Sequence, residues 1–420
     1  MNIGVIGSGA REHALCFKIL KSPKVKKLFC IPGNAGTDKI CTNIEIDISD
    51  FDKLYETIEL HCIDLIVVGP EIPLVQGIVD FLENKKIKVF GPNKRASQLE
   101  GSKIFMKNLC QKFNIPSAKY CEINSVEEAI NKIDDFNVPI VVKSDGLAAG
   151  KGVTICQTKE KALSDIKNIL NGKFESSKKV IIEEFLEGEE ASYFVITDGE
   201  NFKQIGTAQD HKRIGEGETG LNTGGMGAYS PSLLINKKVE EKIINKIIIP
   251  TIKGMKQIGC EYKGILYAGL MIKDSEPKLI EYNIRFGDPE CQVLMMRLED
   301  DIVEIFESVI NGKIKPDNLN WSKYPCITIV AASKGYPEKF KNEVEIKNLP
   351  QNINDEYEQV FHASTKKIND KIFSNGGRVL SSTVSLENLI KSRERALQLL
   401  DEIDWTEKYY RRDIGWRAIK

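Results

Sequence analysis

The sequence predicts a multidomain α/β and α+β chain: an open, mostly parallel α/β sheet, then a larger two-lobed core, then a small α+β unit. Three observations predict it. Short apolar runs alternate with helix-length segments over the first hundred residues, the pattern of a parallel sheet covered by helices. From residue 138 an apolar strand, a glycine-rich loop and a second apolar strand follow in direct succession. A chain of 420 residues is also long enough for roughly two to four domains, each with its own core.

Composition narrows the function classes. The net charge of −1 gives no electrostatic case for nucleic acid or an acidic membrane surface. Ten Cys without a C-x-x-C pair, and four well-separated His, argue against a zinc site and a disulfide framework and for a reducing, cytoplasmic setting. The chain opens directly into a strand, leaving no room for a signal peptide, and no apolar run reaches membrane length.

In order, strands are expected at Ile3–Ile6, Lys27–Ile31, Ile44–Ile46, Leu65–Val68 and Lys88–Phe90, with helices at Arg11–Leu20, Asp50–Cys62 and Pro73–Asn84. Ligands on such sheets bind at the carboxyl ends of the strands. The first end is Gly7-Ser8-Gly9-Ala10-Arg11-Glu12. As a dinucleotide fingerprint it fails, because Glu12 stands where a third glycine should allow close helix packing, and Pro32-Gly33-Asn34 supplies no acidic residue for a ribose. It reads either as a phosphate-binding turn at a helix N-terminus or as a structural turn, with Gly9 and Glu12 as substrate contacts in the first case. Gly69-Pro70-Glu71 lies on the same rim, and Glu71 joins that group.

Ser102 is a plausible N-cap, and Lys103 sits in the first turn of the helix it opens, a poor place for a cation unless an anion binds there. The strand Val138–Lys143 ends in Lys143. Then come Ser144-Asp145-Gly146-Leu147-Ala148-Ala149-Gly150-Lys151-Gly152 and the strand Val153–Cys156. This is not a P-loop, but small residues and glycines let a loop fold over phosphates, with Gly150 at its tip and Lys143 adding charge. Val180–Leu186 reads as a strand running into a linker. Glu183, Glu184, Phe185 and Leu186 offer backbone groups to an adenine edge, and Glu190 a carboxylate to ribose hydroxyls. Asp210 suits an ammonium group, Lys212 or Arg213 a phosphate, and Thr223-Gly224-Gly225 a small substrate. A long helix, Asn236–Ile258, follows.

Leu266–Ile272 and Lys278–Tyr282 read as a hairpin leading into Glu281-Tyr282-Asn283-Ile284-Arg285-Phe286-Gly287-Asp288-Pro289-Glu290. Strand periodicity points Glu281, Asn283 and Arg285 the same way. Two hard oxygens suit Mg²⁺ and a guanidinium suits a phosphate or developing anion; in isolation the same triplet reads as a solvent-facing strand with a salt bridge. Beyond lie a strand Cys326–Ala332, a strand Val360–Ala363, a hairpin turn at Asn375-Gly376-Gly377, and an amphipathic helix Ser385–Ile403. Arg378, Arg411 and Arg412 suit either structural pairing or a substrate phosphate.

As a set, G-S-G-A-R-E-H, G-P-E-x-P, K-S-D-G-L-A-A-G-K-G-V, E-E-F-L-E-G-E-E-A-S, Q-D-H-K-R, N-T-G-G-M-G-A and E-Y-N-I-R-F-G-D-P-E resemble the phosphoribosylamine–glycine ligase (glycinamide ribonucleotide synthetase) family of ATP-grasp enzymes over essentially the whole chain. The resemblance implies an N-terminal substrate domain (1–101), an ATP-grasp two-lobe core (102–324) with a mobile lid at about 118–187, and a C-terminal α+β domain (325–420). It implies ATP-dependent joining of glycine to 5-phosphoribosylamine in purine biosynthesis. Glu281 and Asn283 then bind Mg²⁺ or Mn²⁺. Lys103, Lys143, Gly150, the segment 183–186 and Glu190 bind ATP, and Arg285, Lys143 and Asp210 serve the chemistry. Tyr267, Gly269 and Met271 leave the strand before the E-x-N without carboxylates. Glu338, Asn342 and Ser364 depart from the family by replacing glycines in turns. Neither nucleic acid nor a membrane is expected as a partner, and a transient contact with the phosphoribosylamine-producing enzyme is compatible with the near-zero charge. Two rivals are an ATP-grasp ligase for another acid and a nicotinamide-dependent oxidoreductase; a third is an inactive nucleotide-binding module.

Overall fold

The computed structural model describes residues 1–147, 152–172, 179–315, 317–350 and 355–419. The N-terminal sheet is five-stranded and wholly parallel, in the order Thr42–Asn43, Lys27–Pro32, Asn2–Gly7, Leu65–Val68, Lys88–Phe90. The carboxyl ends of its two middle strands, at Gly7 and Val68, face the rest of the molecule. Its edge strand lies at Thr42–Asn43 rather than at Ile44–Ile46. Local side-chain bonds decide this: Thr37 Oγ1 donates to Asn43 Oδ1 and Asn43 Nδ2 donates to the Asn34 carbonyl, each at 2.8 Å. The segment expected as one helix over Pro73–Asn84 is two, Glu71–Gln76 and Ile78–Asn84. They are broken at Gly77, whose φ of 100° a side chain would resist.

A four-stranded antiparallel sheet, ordered Tyr120–Ile123, Val180–Glu184, Ile140–Ser144, Val153–Cys156, carries the helices Val126–Lys132 and Lys159–Leu170. It has a core of its own around Ile123, Val142, Ile166 and Ile182. A nine-stranded sheet forms the body: Glu276–Asn283, Gly264–Lys273, Glu189–Thr197, Phe202–Asp210, Gly227–Ser230, Cys326–Ser333, Arg378–Ser385 and Glu358–His362, with Lys408–Tyr409 also beside Cys326–Ser333. The C-terminal strands therefore extend the central sheet through the pairing of Gly227–Ser230 with Cys326–Ser333, instead of forming a detached unit. The long helix begins at its Asn236 cap but contains a π-helical turn at Ile244–Ile248. That turn comes just before Pro250, which has no N–H for a regular α-helical bond and whose ring crowds the preceding turn.

Two expectations for the C-terminal part change. Asn375-Gly376-Gly377 is not a hairpin: Lys371–Ser374 pairs with Thr365–Ile368 and Glu345–Ile346, while Arg378–Ser385 pairs in the large sheet. The glycines let the chain pass between the sheets under Tyr336 and Ser364, and both their carbonyls accept from Ser333. The helix starts at Leu389, because the strand continues to Ser385 and Asn388 provides the cap, accepting from the Lys391 N–H at 3.0 Å.

The first and last units are joined by buried polar groups. Asn34 Nδ2 donates to the His362 carbonyl, and the His362 N–H donates to His13 Nδ1, both at 2.9 Å. Burial pushes His13 down to about 3, with Lys39 adding to the effect. Burial also holds His362 well below its ordinary value, with His13 and Lys39 adding to it. Each imidazole is neutral in the folded chain and ordinary in the unfolded one. Below about pH 6.5 only the unfolded state takes up these protons, so stability is complete above that pH and is lost as pH falls. The slope is up to about 1.4 kcal/mol per pH unit for each ring. His13→Asn keeps an acceptor for the His362 N–H but cannot titrate. Urea unfolding at about pH 7.5 and 5.5 should show a smaller acid loss in His13→Asn than in the parent. An equal loss in both would refute the assignment.

Candidate active site

Glu281 and Asn283 lie two residues apart on the edge strand of the large sheet, opposite Gly269 and Tyr267. Tyr282 between them turns into the core, its hydroxyl meeting Thr251. The register slips by one between Gly269 and Leu270, so Ile280 is a bulge residue, a device that re-aims the neighbouring side chain. Gly269 is the residue opposite Glu281, and a Cβ there would come within 3.2 Å of the Glu281 Cγ. The strand ends at Asn283, so Arg285 lies in the loop just beyond it. Its guanidinium turns instead to Glu71 (3.2 Å) and Glu100 (2.9 Å). Burial would lower the Arg285 pKa, but Glu100 and Glu71 outweigh it and fix the charge.

Three lysines from three elements converge on Glu281. Burial would raise its carboxyl, but Lys212, Lys143, Lys103 and Arg285 together hold it below its ordinary value. Lys103 follows the Ser102 cap, whose hydroxyl accepts from the Phe105 N–H at 3.1 Å, as expected of the helix start. Its ammonium donates to the Gly146 carbonyl at 2.8 Å, reaching the loop of the smaller sheet. Asp145 of that loop accepts from Ser102 Oγ and the Ile104 N–H, each at 3.2 Å, and so caps the same helix. Lys143 lies 3.0 Å from Glu183, which is also 3.3 Å from Lys107. Lys107 is fully buried and was not singled out from sequence. The available signal was its spacing four residues after Lys103, which puts both on one helix face.

The residues expected at the adenine divide. Glu183 and Glu184 belong to the ladder, opposite Val141 and Ile140, so their backbones are largely spent there. Glu183 offers a buried carboxylate, with Oε1 unpartnered, and Glu184 turns to Lys278 and the Lys119 N–H. Phe185 is exposed and Leu186 half-buried, both beyond the strand. Gly150 lies outside the described residues.

Glu190 accepts from Lys212 Nζ at 2.6 Å. Burial pushes Asp210 up to about 7, Lys212 opposing and Glu290 and Glu190 reinforcing. Burial would lower Lys212, but Glu190, Asp210 and Glu281 hold its ammonium well above its ordinary value. Lys212 is thus a bridge among carboxylates rather than a free phosphate contact. Arg213 is not brought to the centre; its guanidinium donates to the Gly220 carbonyl on the neighbouring hairpin. Thr223 donates through both N–H and Oγ1 to the Lys212 carbonyl at 2.8 Å, fixing the loop that carries Gly224 and Gly225. Arg378 clamps this loop, donating to the carbonyls of Gly224 (2.8 Å), Gly225 (3.3 Å) and Asp288 (2.6 Å). Arg411 pairs with Glu218 and Asp413, and Arg412 with Asp401, so all three C-terminal arginines take the structural alternative.

The glycine turn differs most from expectation. Glu12 does not obstruct packing; it fills the space left by Gly7, Gly9 and Gly69, each of which would clash with it if a Cβ were added. Its carboxylate accepts from the Gly9 N–H and from Arg11 Nε, both at 2.6 Å. Asp288 accepts from the Arg11 N–H at 3.4 Å. Backbone donors that a phosphate would use are occupied by the chain's own carboxylates. Sequence reasoning also missed Glu100, which accepts from the Ile284 N–H at 2.8 Å, and Glu290, which accepts from Tyr267 Oη at 2.8 Å. Glu290 stood in a quoted motif, whereas nothing local marked Glu100.

Family models for the N, ATP-grasp (A) and C domains of phosphoribosylglycinamide synthetase match residues 1–100, 101–291 and 326–417. The chain belongs to the phosphoribosylglycinamide synthetase family. A phosphoribosylamine–glycine ligase of Mesorhizobium japonicum is 46% identical over 100% of this chain and 99% of its own. The chloroplastic phosphoribosylamine–glycine ligase of Arabidopsis thaliana is 46% identical over 98% of this chain and 79% of its own. The crystal structure of phosphoribosylamine–glycine ligase from Thermotoga maritima superposes with a TM-score of 0.87 at 33% identity, covering 99% of this chain and 100% of that one. The biotin carboxylase domain of Hydrogenobacter thermophilus 2-oxoglutarate carboxylase, at 17% identity and a TM-score of 0.76, shares the fold. The synthetase family thus accounts for both sheets around Glu281. No helix among the described residues is long and apolar enough to cross a membrane.

Glu183→Gln removes the one carboxylate shared by Lys107 and Lys143 and leaves two buried ammonium groups without it. Breaking a buried pair from one side costs about 3–5 kcal/mol. Urea unfolding should show a loss of that order with an unchanged m-value; a loss below about 1 kcal/mol would show that Glu183 does not neutralise this site.

Proposed function

We propose that this chain carries out the ATP-dependent ligation of glycine to 5-phosphoribosylamine, giving glycinamide ribonucleotide, ADP and phosphate in purine biosynthesis. The observation that carries the reading is the convergence of Lys103, Lys143 and Lys212 on the ionised Glu281. So much positive charge around one carboxylate suits a polyphosphate and its metal ion. The donor set of Glu281 and Asn283 fits Mg²⁺ or Mn²⁺, which take one or two protein oxygens and leave positions for water and phosphates. Among the described residues no group of three or more His, Cys, Asp or Glu could hold a metal alone, in keeping with a metal that comes with its nucleotide. When bound, that metal neutralises phosphate charge.

The side chains do the rest. Lys103 and Lys143 bind phosphate oxygens, with Gly150 and the loop around it covering them. Phe185 and Leu186 face the adenine, with Glu183 and Glu184 behind them, and Glu190 holds the ribose. Glycine's carboxylate takes the γ-phosphoryl group, forming glycyl phosphate. Arg285, pre-set by Glu71 and Glu100, stabilises the charge that develops. Asp210, near neutrality in its pKa, holds an ammonium group or takes the proton of the attacking amine. That amine forms the amide bond as phosphate leaves. Lys212, held among Glu190, Asp210 and Glu281, encloses the substrates from one side with Thr223, Gly224 and Gly225, and Gly9, Glu12 and Glu71 enclose them from the other. The domain division 1–101, 102–324 and 325–420, with a lid at about 118–187 that excludes water, belongs to the same reading. So do a cytoplasmic location and a transient contact with the enzyme that supplies phosphoribosylamine.

Two experiments test it. ADP release should require Mg²⁺, ATP, glycine and freshly generated phosphoribosylamine together, with glycinamide ribonucleotide accumulating in step. ADP with another acid and not with glycine would overturn the substrate assignment. Glu281→Ala should lower turnover by at least about 10²-fold while circular dichroism shows that the protein stays folded. Near-normal turnover would remove Glu281 from the centre.

A further inference from the structure

The smaller sheet is docked on the first turn of the helix Lys103–Lys112 through Asp145, a residue with no assigned part in the ligation. The Asp145 carboxylate accepts from Ser102 Oγ through both of its oxygens, and Oδ1 also accepts from the Ile104 N–H, each at 3.2 Å. Ser102 Oγ in turn accepts from the Phe105 N–H at 3.1 Å, so one hydroxyl is both the helix's own cap and a donor to the other lobe. The next residue, Gly146, accepts from Lys103 Nζ at 2.8 Å. The backbone that carries the carboxylate is fixed from behind by the smaller sheet. The Ser144 N–H donates to the Gly152 carbonyl at 2.8 Å, and the Asp145 N–H donates to the Lys179 carbonyl at 3.0 Å.

A carboxylate in this position is not explained by helix capping, because Ser102 already caps the helix. Nor does its charge help a polyphosphate bind nearby, since like charges repel. What Asp145 adds is a tie between the lobes that ends on Lys103. It fixes the backbone at Gly146, whose carbonyl takes one ammonium hydrogen of Lys103 and leaves the others for phosphate oxygens.

We propose that Asp145 is a positioning residue of the nucleotide site, acting through Lys103 and the Gly146 backbone and not by touching the nucleotide. The proposal rests on the ATP site of the reading above and adds two properties to it. The hydrogen bonds of Asp145 strengthen polyphosphate binding while its charge weakens it, so the two effects separate when the charge alone is removed. The effect also falls on the phosphates and spares adenine and ribose, which Phe185, Leu186 and Glu190 meet from other segments.

The test uses neither glycine nor phosphoribosylamine, so its outcome is separate from the substrate assignment. Dissociation constants of MgADP and of AMP are measured by calorimetric titration of the full chain, Asp145→Asn and Asp145→Ala. Both variants lose the charge, but only Asp145→Asn keeps an oxygen that accepts from Ser102 and Ile104. Asp145→Ala should bind MgADP at least about tenfold more weakly than Asp145→Asn, the effect of one or two hydrogen bonds, and AMP less than about threefold more weakly. Ser102→Ala keeps the Asp145 charge and removes a donor to it. It should also weaken MgADP more than AMP relative to the parent, and it carries the test if Asp145→Ala fails to fold. Equal MgADP affinities in Asp145→Asn and Asp145→Ala would overturn the proposal. An equal loss for AMP and MgADP would overturn it too, marking Asp145 as a structural support of the whole lobe. A parent chain that binds neither nucleotide would overturn the ATP site itself.

Discussion

Charge neutrality in a buried space is the constraint on which the rest of this architecture depends. Lys103, Lys107, Lys143, Lys212 and Arg285 are drawn from a helix, a sheet and two loops, and they are set against Glu281, Glu183, Glu190, Glu71 and Glu100. Removing such groups from water is costly unless each finds a partner. Each element must therefore arrive with its charge in register. The smaller sheet must place Lys143 and Glu183 side by side, which the pairing of Val141 with Glu183 does by setting Lys143 and Glu183 on neighbouring strands. The helix from Lys103 must present two cations one turn apart. A closed ledger of this kind tolerates a polyphosphate and its cation because both signs enter together.

The same logic explains how the three units are sealed. Arg378, from the strand that follows the double glycine, fixes the Thr223–Gly225 loop and the Asp288 carbonyl at once. Asn34 does the equivalent at the other end, donating to the Ser8 and His362 carbonyls while accepting from the Gly36 and Thr37 N–H groups. Both are polar side chains satisfied by backbone groups of distant segments. The C-terminal unit thereby holds the rim of the N-terminal sheet as well as extending the central one.

Much of this was legible in the sequence. Hydrophobic periodicity found four of the five N-terminal strands, the strand pair around Glu281, and the start of the helix at Ser102, because these depend on local pattern and local capping. What it missed is set by distant partners. Ile280 reads like any apolar strand residue; only the pairing with Gly269 and Leu270 makes it a bulge. Arg285 follows the alternation of Glu281 and Asn283 on paper, yet the strand has ended and Glu71 and Glu100, far back in the chain, claim it. Glu100 carries no local signal. Gly77 and the π turn before Pro250 do, and could have been read as interruptions of helices that were drawn as continuous.

Glu12 decides how the first glycine turn should be understood. A helix N-terminus with exposed N–H groups attracts an anion. Here Glu12 is that anion for Gly9, and Asp288 for Arg11, so the turn is already neutral. The three glycines around it are needed to admit a carboxylate carried on this chain, not to bring the backbone close to a dinucleotide. A substrate phosphate at this rim must then be held by side chains or by other backbone donors. The Gly-rich turn that looks most like a phosphate site is thus already neutralised by carboxylates of the same chain.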